Sequence, residues 1–272
     1  MADGLQLNMP PSLRGSAKIR NSIERQGRRK GVKPLPDLCY LCGEPLAKPV
    51  SYDHVPMQQL FAREVRKKHN LSNLFTIPVH NRCNKSYQPD EDYFVHSLMP
   101  FAPGSYSGKA LYQKVLRDYR GGKNVGLVGK ILGEFEPRPS GLVLPGNKVV
   151  KRFEGKRISR IAWKIVRGLY FRHQSEVLPA DLTTWMSLTP PGEMPPEHFI
   201  VFMSLPDNEP HGQYPGVFDY RFQRFTEVQD IHYWALLIWD CIIITVIFHD
   251  PKCSCEQCRS RHSPENPGAA NT

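Results

Sequence analysis

Between Arg157 and Phe171 apolar residues recur at helical spacing. Ile158, Ile161, Ala162, Ile165, Val166 and Leu169 form one stripe, with Arg157, Arg160, Lys164 and Arg167 around the rest. The pattern predicts an amphipathic helix with a solvated basic side. Downstream, His198 to Ser204 and Val217 to Phe225 read as strands. The apolar run from Tyr233 to His249 is short for a membrane span and carries Asp240 in its middle, so it reads as two buried strands joined near Asp240-Cys241. Upstream, Leu60, Phe61 and Val65 stand at helical spacing within Met57 to His69, opposite a basic face. Lys109 to Arg120 predicts another helix, closed by Gly121-Gly122. A helix followed by successive strands points to an α+β arrangement with an antiparallel sheet.

The chain divides by composition into five stretches. Residues 1–36 form a basic arm, with Arg14, Lys18, Arg20, Arg25, Arg28, Arg29, Lys30 and Lys33 against Asp3 and Glu24. Within it Ser16 to Arg29 can become helical on a phosphate backbone, and Pro34 and Pro36 end it. Residues 37–98 hold the chemistry-bearing motifs, 99–145 a Gly- and Pro-punctuated connector with one helix, 146–252 an α+β unit, and 253–272 a polar tail with cysteines. Asp90-Glu91-Asp92 reads as an acidic helix N-terminus; the other reading is an approach to a metal.

Composition narrows the class. A chain of 272 residues with 40% hydrophobic positions can form one large domain or two small ones. The formal charge of +10 favours a polyanionic partner, since Lys and Arg release counterions from phosphates, although charge also serves solubility. The first residues lack an apolar stretch after their charges, so no secretory signal is expected and the location expected is cytoplasmic, with no membrane role. The 7 cysteines are clustered rather than spaced as a disulfide framework, which fits a reducing compartment.

The cysteine spacing has a direct chemical reading. Structural zinc takes four soft or borderline ligands, usually as two close pairs. Cys39-x2-Cys42 and His80-x2-Cys83 are such pairs. Cys253-x-Cys255-x2-Cys258, followed by His262, is a second and less regular candidate. Cys241, between apolar runs, reads as a small buried hydrophobe.

Between the first two ligand pairs lie Asp53-His54 and Asn73-Leu74, and Asn84 follows the second pair at once. Neutral imidazole at His54 suits a general base. Asp53 and the amide oxygen of Asn84 suit a hard divalent cation. Asn81 rivals Asn84, and Asn70 rivals Asn73.

In this order the pieces over 37–98 resemble the HNH endonuclease family in its zinc-supported branch, which more often has Cys-Cys as the second pair. The resemblance implies a ββα-metal module ahead of the α+β unit. It also implies metal-dependent hydrolysis of DNA with His54 as base, Asp53 and Asn84 holding Mg²⁺ or Mn²⁺, and Asn73 fixing the loop that orients the histidine. Zn²⁺ on Cys39, Cys42, His80 and Cys83 would be structural. Arg82 and Lys85 are candidate phosphate contacts, as are the arm and the helix from Arg157. Two competing readings stand beside it: a zinc-stabilised nucleic-acid-binding module without catalysis, and a nuclease effector of a defence or toxin system activated by a protein partner through the C-terminal unit.

Overall fold

The computed structural model describes residues 35–71, 74–137, 149–206, 208–212, 214–226, 230–255 and 258. The basic arm up to residue 34, Asn73 and His262 lie outside them. Helices and antiparallel sheets together make the α+β architecture expected.

The first structured unit is a hairpin followed by a helix. Strand β1 (Val50–His54) pairs antiparallel with β2 (Thr76–His80), with Asp53 opposite Ile77 and His54 opposite Thr76. Helix α2 (Asn81–Leu98) begins at the residue after β2. Between the strands the helix expected over 57–69 is broken into a 3₁₀ turn (Gln58–Leu60) and α1 (Arg63–Lys68). Leu60, Phe61 and Ala62 are all buried, and the helical pattern is interrupted at Phe61 and Ala62. Both are extended, Phe61 at φ -104° and Ala62 at φ -65° with ψ 141°. Asp90-Glu91-Asp92 is not a helix N-terminus: it sits in the interior of α2, which starts at Asn81.

The stretch expected to hold one helix holds two, α3 (Tyr106–Arg120) and α4 (Val125–Gly133). Ser105 caps α3 by accepting from Gly108 N at 3.0 Å, and Gly121 ends it. Short strands β3 (Phe135–Glu136) and β4 (Val150–Lys151) pair and lead into α5 (Gly155–Gln174).

Helix α5 is the centre of the molecule. Every residue from Ile161 to Phe171 is buried, so the solvated basic side expected of it holds only at its start. Lys164 and Arg167 are 2% and 1% exposed. One side packs on the hairpin, where Gly168 lets Val55 and Tyr40 approach. The other side meets the sheet, with Trp163 and Tyr170 edge-on to Phe248 at 5.1 and 6.4 Å. At the start of α5, Arg157 and Arg160 pair with Asp90 and lie over the rings of Tyr93 and Tyr87, at 4.3 and 4.1 Å. These arginines fasten α5 to α2.

The second sheet runs β5-β8-β7-β6, all antiparallel, from β5 (Thr184–Thr189), β6 (Phe218–Phe225), β7 (Ile231–Ile238) and β8 (Ile242–His249). The expected pair of strands over 233–249 is the β7–β8 hairpin. Its turn puts Trp239 and Asp240 at φ 50° and 55°, a left-handed pair that usually calls for Asn or Gly. Trp239 is wholly buried and its indole N–H donates to Leu60 O at 3.0 Å, which offsets that strain and ties the sheet to the hairpin unit. His198 to Ser204, expected as a strand, is helix α6 (Glu197–Met203). Phe199 and Phe202 are buried on the sheet's outer face against Tyr233 and Ala235, while Ile200 and Val201 are 51% and 57% exposed. That is helical rather than alternating spacing.

One buried apolar cluster runs from Cys39 to Phe248. No helix among the described residues is long and apolar enough to cross a membrane. Because a Cβ at Gly168 would lie 2.7 Å from Val55 Cγ2, Gly168→Ala should overpack the α5–hairpin contact and lower stability by about 1–3 kcal/mol, read as a reduced urea midpoint.

Candidate functional site

The first metal-ligating group forms where two turns meet. Cys42 N and Gly43 N both donate to Cys39 O, at 3.2 and 2.7 Å, and Gly43 closes the turn at φ +83°. His80 ends β2 and Cys83 lies in the first turn of α2. The ligand atoms of Cys39, Cys42, His80 and Cys83 all lie within 4.8 Å of one another. His80 Nδ1 is 3.3 Å from Cys42 Sγ, and its Nε2 is 3.0 Å from Pro45 O. The Ala47 N–H also points at Nε2, at 3.1 Å, so the backbone around Pro45 and Ala47 holds the ring with Nδ1 turned to the cysteines. Burial opposes ionisation of the Cys42 thiol, but hydrogen bonds from the backbone at Glu44 and from His80 hold it below the usual range. Four ligands of this kind can hold a metal such as zinc.

A second group of the same kind stands at the end of β8, formed by His249, Cys253, Cys255 and Cys258. His249 Nδ1 lies 3.6 Å from both Cys253 Sγ and Cys255 Sγ. The histidine of this group is His249; His262, to which the spacing pointed, lies outside the described residues. The signal in the chain was a histidine just before the first cysteine, hidden because it also completes an apolar strand pattern.

Beside the first group, a pocket of about 200 Å³ opens over the hairpin and α2, lined by Tyr52, Asp53, His54, Asn84, Lys85 and Glu91, among others. It brings together three of the four residues expected to act chemically. Asn84 Nδ2 donates to Ser51 Oγ at 3.2 Å, which anchors the amide against β1. The rival Asn81 instead starts α2, its N–H bound to Pro49 O at 3.0 Å, and does not line the pocket. Asn70 occupies a left-handed turn at φ 51°. Lys85 lines the pocket; Arg82 is exposed and does not.

Burial lowers the His54 pKa, with Asp53 opposing and Arg66 and Lys164 reinforcing the shift. The imidazole is therefore neutral at physiological pH, as a proton acceptor must be.

Asp53 is 4% exposed, and both its oxygens have partners. Lys164 Nζ donates to Oδ1 at 2.7 Å, and Tyr40 OH donates to Oδ2. Lys164 also donates to Glu91 of α2. Burial, more than any other cause, raises the Glu91 carboxyl pKa. Sequence reasoning did not assign Tyr40 or Lys164 to the site, and it named Glu91 only in the alternative reading of Asp90-Glu91-Asp92 as an approach to a metal. Tyr40 sits inside Cys39-x2-Cys42, and Gly168, one turn after Lys164, marks the close approach of that helix face.

Asp53, Glu91 and Asn84 offer the pocket hard oxygen donors, which suit a divalent cation of the magnesium class. A carboxylate has about four lone-pair sites, and Lys164 and Tyr40 each occupy one on Asp53. Comparison of the chain with family models, with curated proteins and with solved structures found no match.

Metal analysis of the purified protein should find two zinc ions per chain, one for each Cys/His group. Cys255→Ser should release one. Cys39→Ser should release the other and lower the melting temperature further, because metal binding and folding are coupled and Cys39 belongs to the buried core. An active, fully folded Cys39→Ser protein retaining both ions would overturn the first assignment.

Proposed function

We propose that the chain is a metal-dependent endonuclease of the HNH type that hydrolyses phosphodiester bonds in DNA. The supporting observation is the convergence of Asp53, His54 and Asn84 on one pocket, on a hairpin and helix pinned by a four-ligand metal group. In this reading a water attacks phosphorus while a ring nitrogen of His54 takes its proton. The bond to the 3′ oxygen breaks, and that oxygen is protonated from solvent. The ends then carry a 5′-phosphate and a 3′-hydroxyl, as the family resemblance implies.

A divalent ion held by Asp53 and Asn84 supplies charge neutralisation at phosphorus and at the leaving oxygen. The chain's own residues do the rest. Ser51 fixes the Asn84 amide, Lys164 and Tyr40 fix the Asp53 carboxylate, and burial keeps His54 deprotonated. Lys85 on the pocket wall, Arg66 near His54 and the formal charge of +10 favour approach of a phosphate backbone. Contacts of this kind orient the backbone without reading bases, so cutting should be weakly sequence-specific.

The test is nicking of supercoiled plasmid with Mg²⁺ or Mn²⁺ present or omitted. Cutting should require the ion and fall by about 10²–10⁴-fold in His54→Ala, the usual contribution of a general base, with zinc content and DNA affinity retained. Wild-type protein that binds DNA but never cuts it would overturn the catalytic reading.

A further inference from the structure

Lys164 sits in a built cation site. Its ammonium donates to Asp53 Oδ1 at 2.7 Å and to Glu91, and lies 5.3 Å from the centre of the Tyr87 ring. The three residues that pair, Lys164, Asp53 and Glu91, are 2%, 4% and 9% exposed. They come from α5, β1 and α2, distant in sequence and brought together only by the packed fold. Asp53 and Glu91 also line the candidate catalytic pocket. Two buried carboxylates facing one site repel each other unless a cation lies between them, and here the chain itself provides it.

We propose that Lys164 is a tethered counter-ion that competes with the divalent cation for Asp53 and Glu91, so that loading the pocket with metal requires the ammonium to give way. The inference rests on the nuclease reading of the pocket, but its test does not depend on turnover. In the resting protein the ammonium satisfies both carboxylates and holds α5 against the hairpin. An incoming ion must take lone pairs from Asp53 that Lys164 now shares, and until the ammonium withdraws it must do so beside a positive charge. The tether thereby lowers metal affinity and keeps the unloaded pocket folded. Its side chain can withdraw without unfolding α5, because Arg167, one turn along, remains anchored to Tyr40 O and Leu178 O at 2.8 and 3.0 Å.

The experiment is a titration of zinc-loaded, full-length protein with Mn²⁺, followed by the electron paramagnetic resonance signal of the free ion. Charges a few ångströms apart interact strongly even at a protein surface, so Lys164→Met should bind Mn²⁺ at least about tenfold more tightly than wild type. Without Mn²⁺ this variant should melt earlier than wild type, and adding Mn²⁺ should restore most of the loss. Lys164→Gln, which keeps a hydrogen-bond donor without the charge, should show the same tighter binding with a smaller loss of stability. Equal or weaker Mn²⁺ binding in the folded variants would overturn the proposal.

A measurement on wild type decides the matter should neither variant fold. The lysine ammonium resonances in ¹⁵N-labelled protein should include one buried signal that moves on adding Mg²⁺. A signal unmoved through the titration would overturn the competition. Tighter Mn²⁺ binding in the variants, together with a wild type that never nicks DNA, would retire the nuclease reading and leave Lys164 as the cation's competitor.

Discussion

The structure is organised by the burial of two positive charges on one helix. Lys164 and Arg167 lie where α5 is covered on both sides, and a cation in that position is tolerated only with partners supplied around it. Those partners come from separate parts of the chain. Arg167 reaches Tyr40 O in the cysteine turn and Leu178 O beyond the helix, while Lys164 reaches Asp53 on β1 and Glu91 on α2. Removing one partner of a buried ion pair typically costs about 3–5 kcal/mol. Sliding α5 along the hairpin would break several of these contacts together, so its register is set by charge as much as by apolar packing. The hairpin, α2 and the sheet are then placed relative to one another through this helix.

The first Cys/His group is part of the same arrangement. Tyr40 lies between Cys39 and Cys42, so the turn that offers two thiols to a metal also aims a phenol at Asp53 and a carbonyl at Arg167. Burial raises the Tyr40 pKa well above its ordinary value, which keeps the phenol a hydrogen-bond donor to the carboxylate. A metal that orders this turn orders Asp53 with it. In the proposed enzyme, structural zinc and catalytic pocket are linked by one tyrosine.

Much of the architecture was legible where local pattern and burial agree. The apolar run over 233–249 interrupted at Asp240 gave the β7–β8 hairpin, and Gly121 gave the end of α3. The Cys39/Cys42 and His80/Cys83 pairs were readable because ligand spacing is itself a local constraint. What failed depended on distant partners. Lys164 and Arg167 look solvated in a helical projection because their partners are far away in sequence. His198 to Ser204 looked like a strand because Ile200 and Val201 are β-branched, yet they are exposed while Phe199 and Phe202 are buried against the sheet. Asp90-Glu91-Asp92 was misplaced because an acidic triplet resembles a helix start, whereas Asp90 and Glu91 are there to receive Arg157, Arg160 and Lys164 from α5. Asn73 was named through the family resemblance and His262 through its place after the cysteines, and the described residues include neither.

Electrostatics also explains why the nuclease reading needs an element outside the motif-bearing stretch. A pocket meant to admit a phosphate backbone cannot present two unneutralised carboxylates, because their field would oppose the polyanion that the protein's formal charge of +10 otherwise attracts. It cannot omit them either, since hard oxygen ligands are what a magnesium-class ion requires. Placing Lys164 between Asp53 and Glu91 resolves the conflict before any metal arrives. Lys164 then offsets one of the two carboxylates' charges at rest, Lys85 lines the pocket, and the charge of Arg66 is felt at His54. On this argument α5 is as much a part of the site as the hairpin that carries Asp53 and His54.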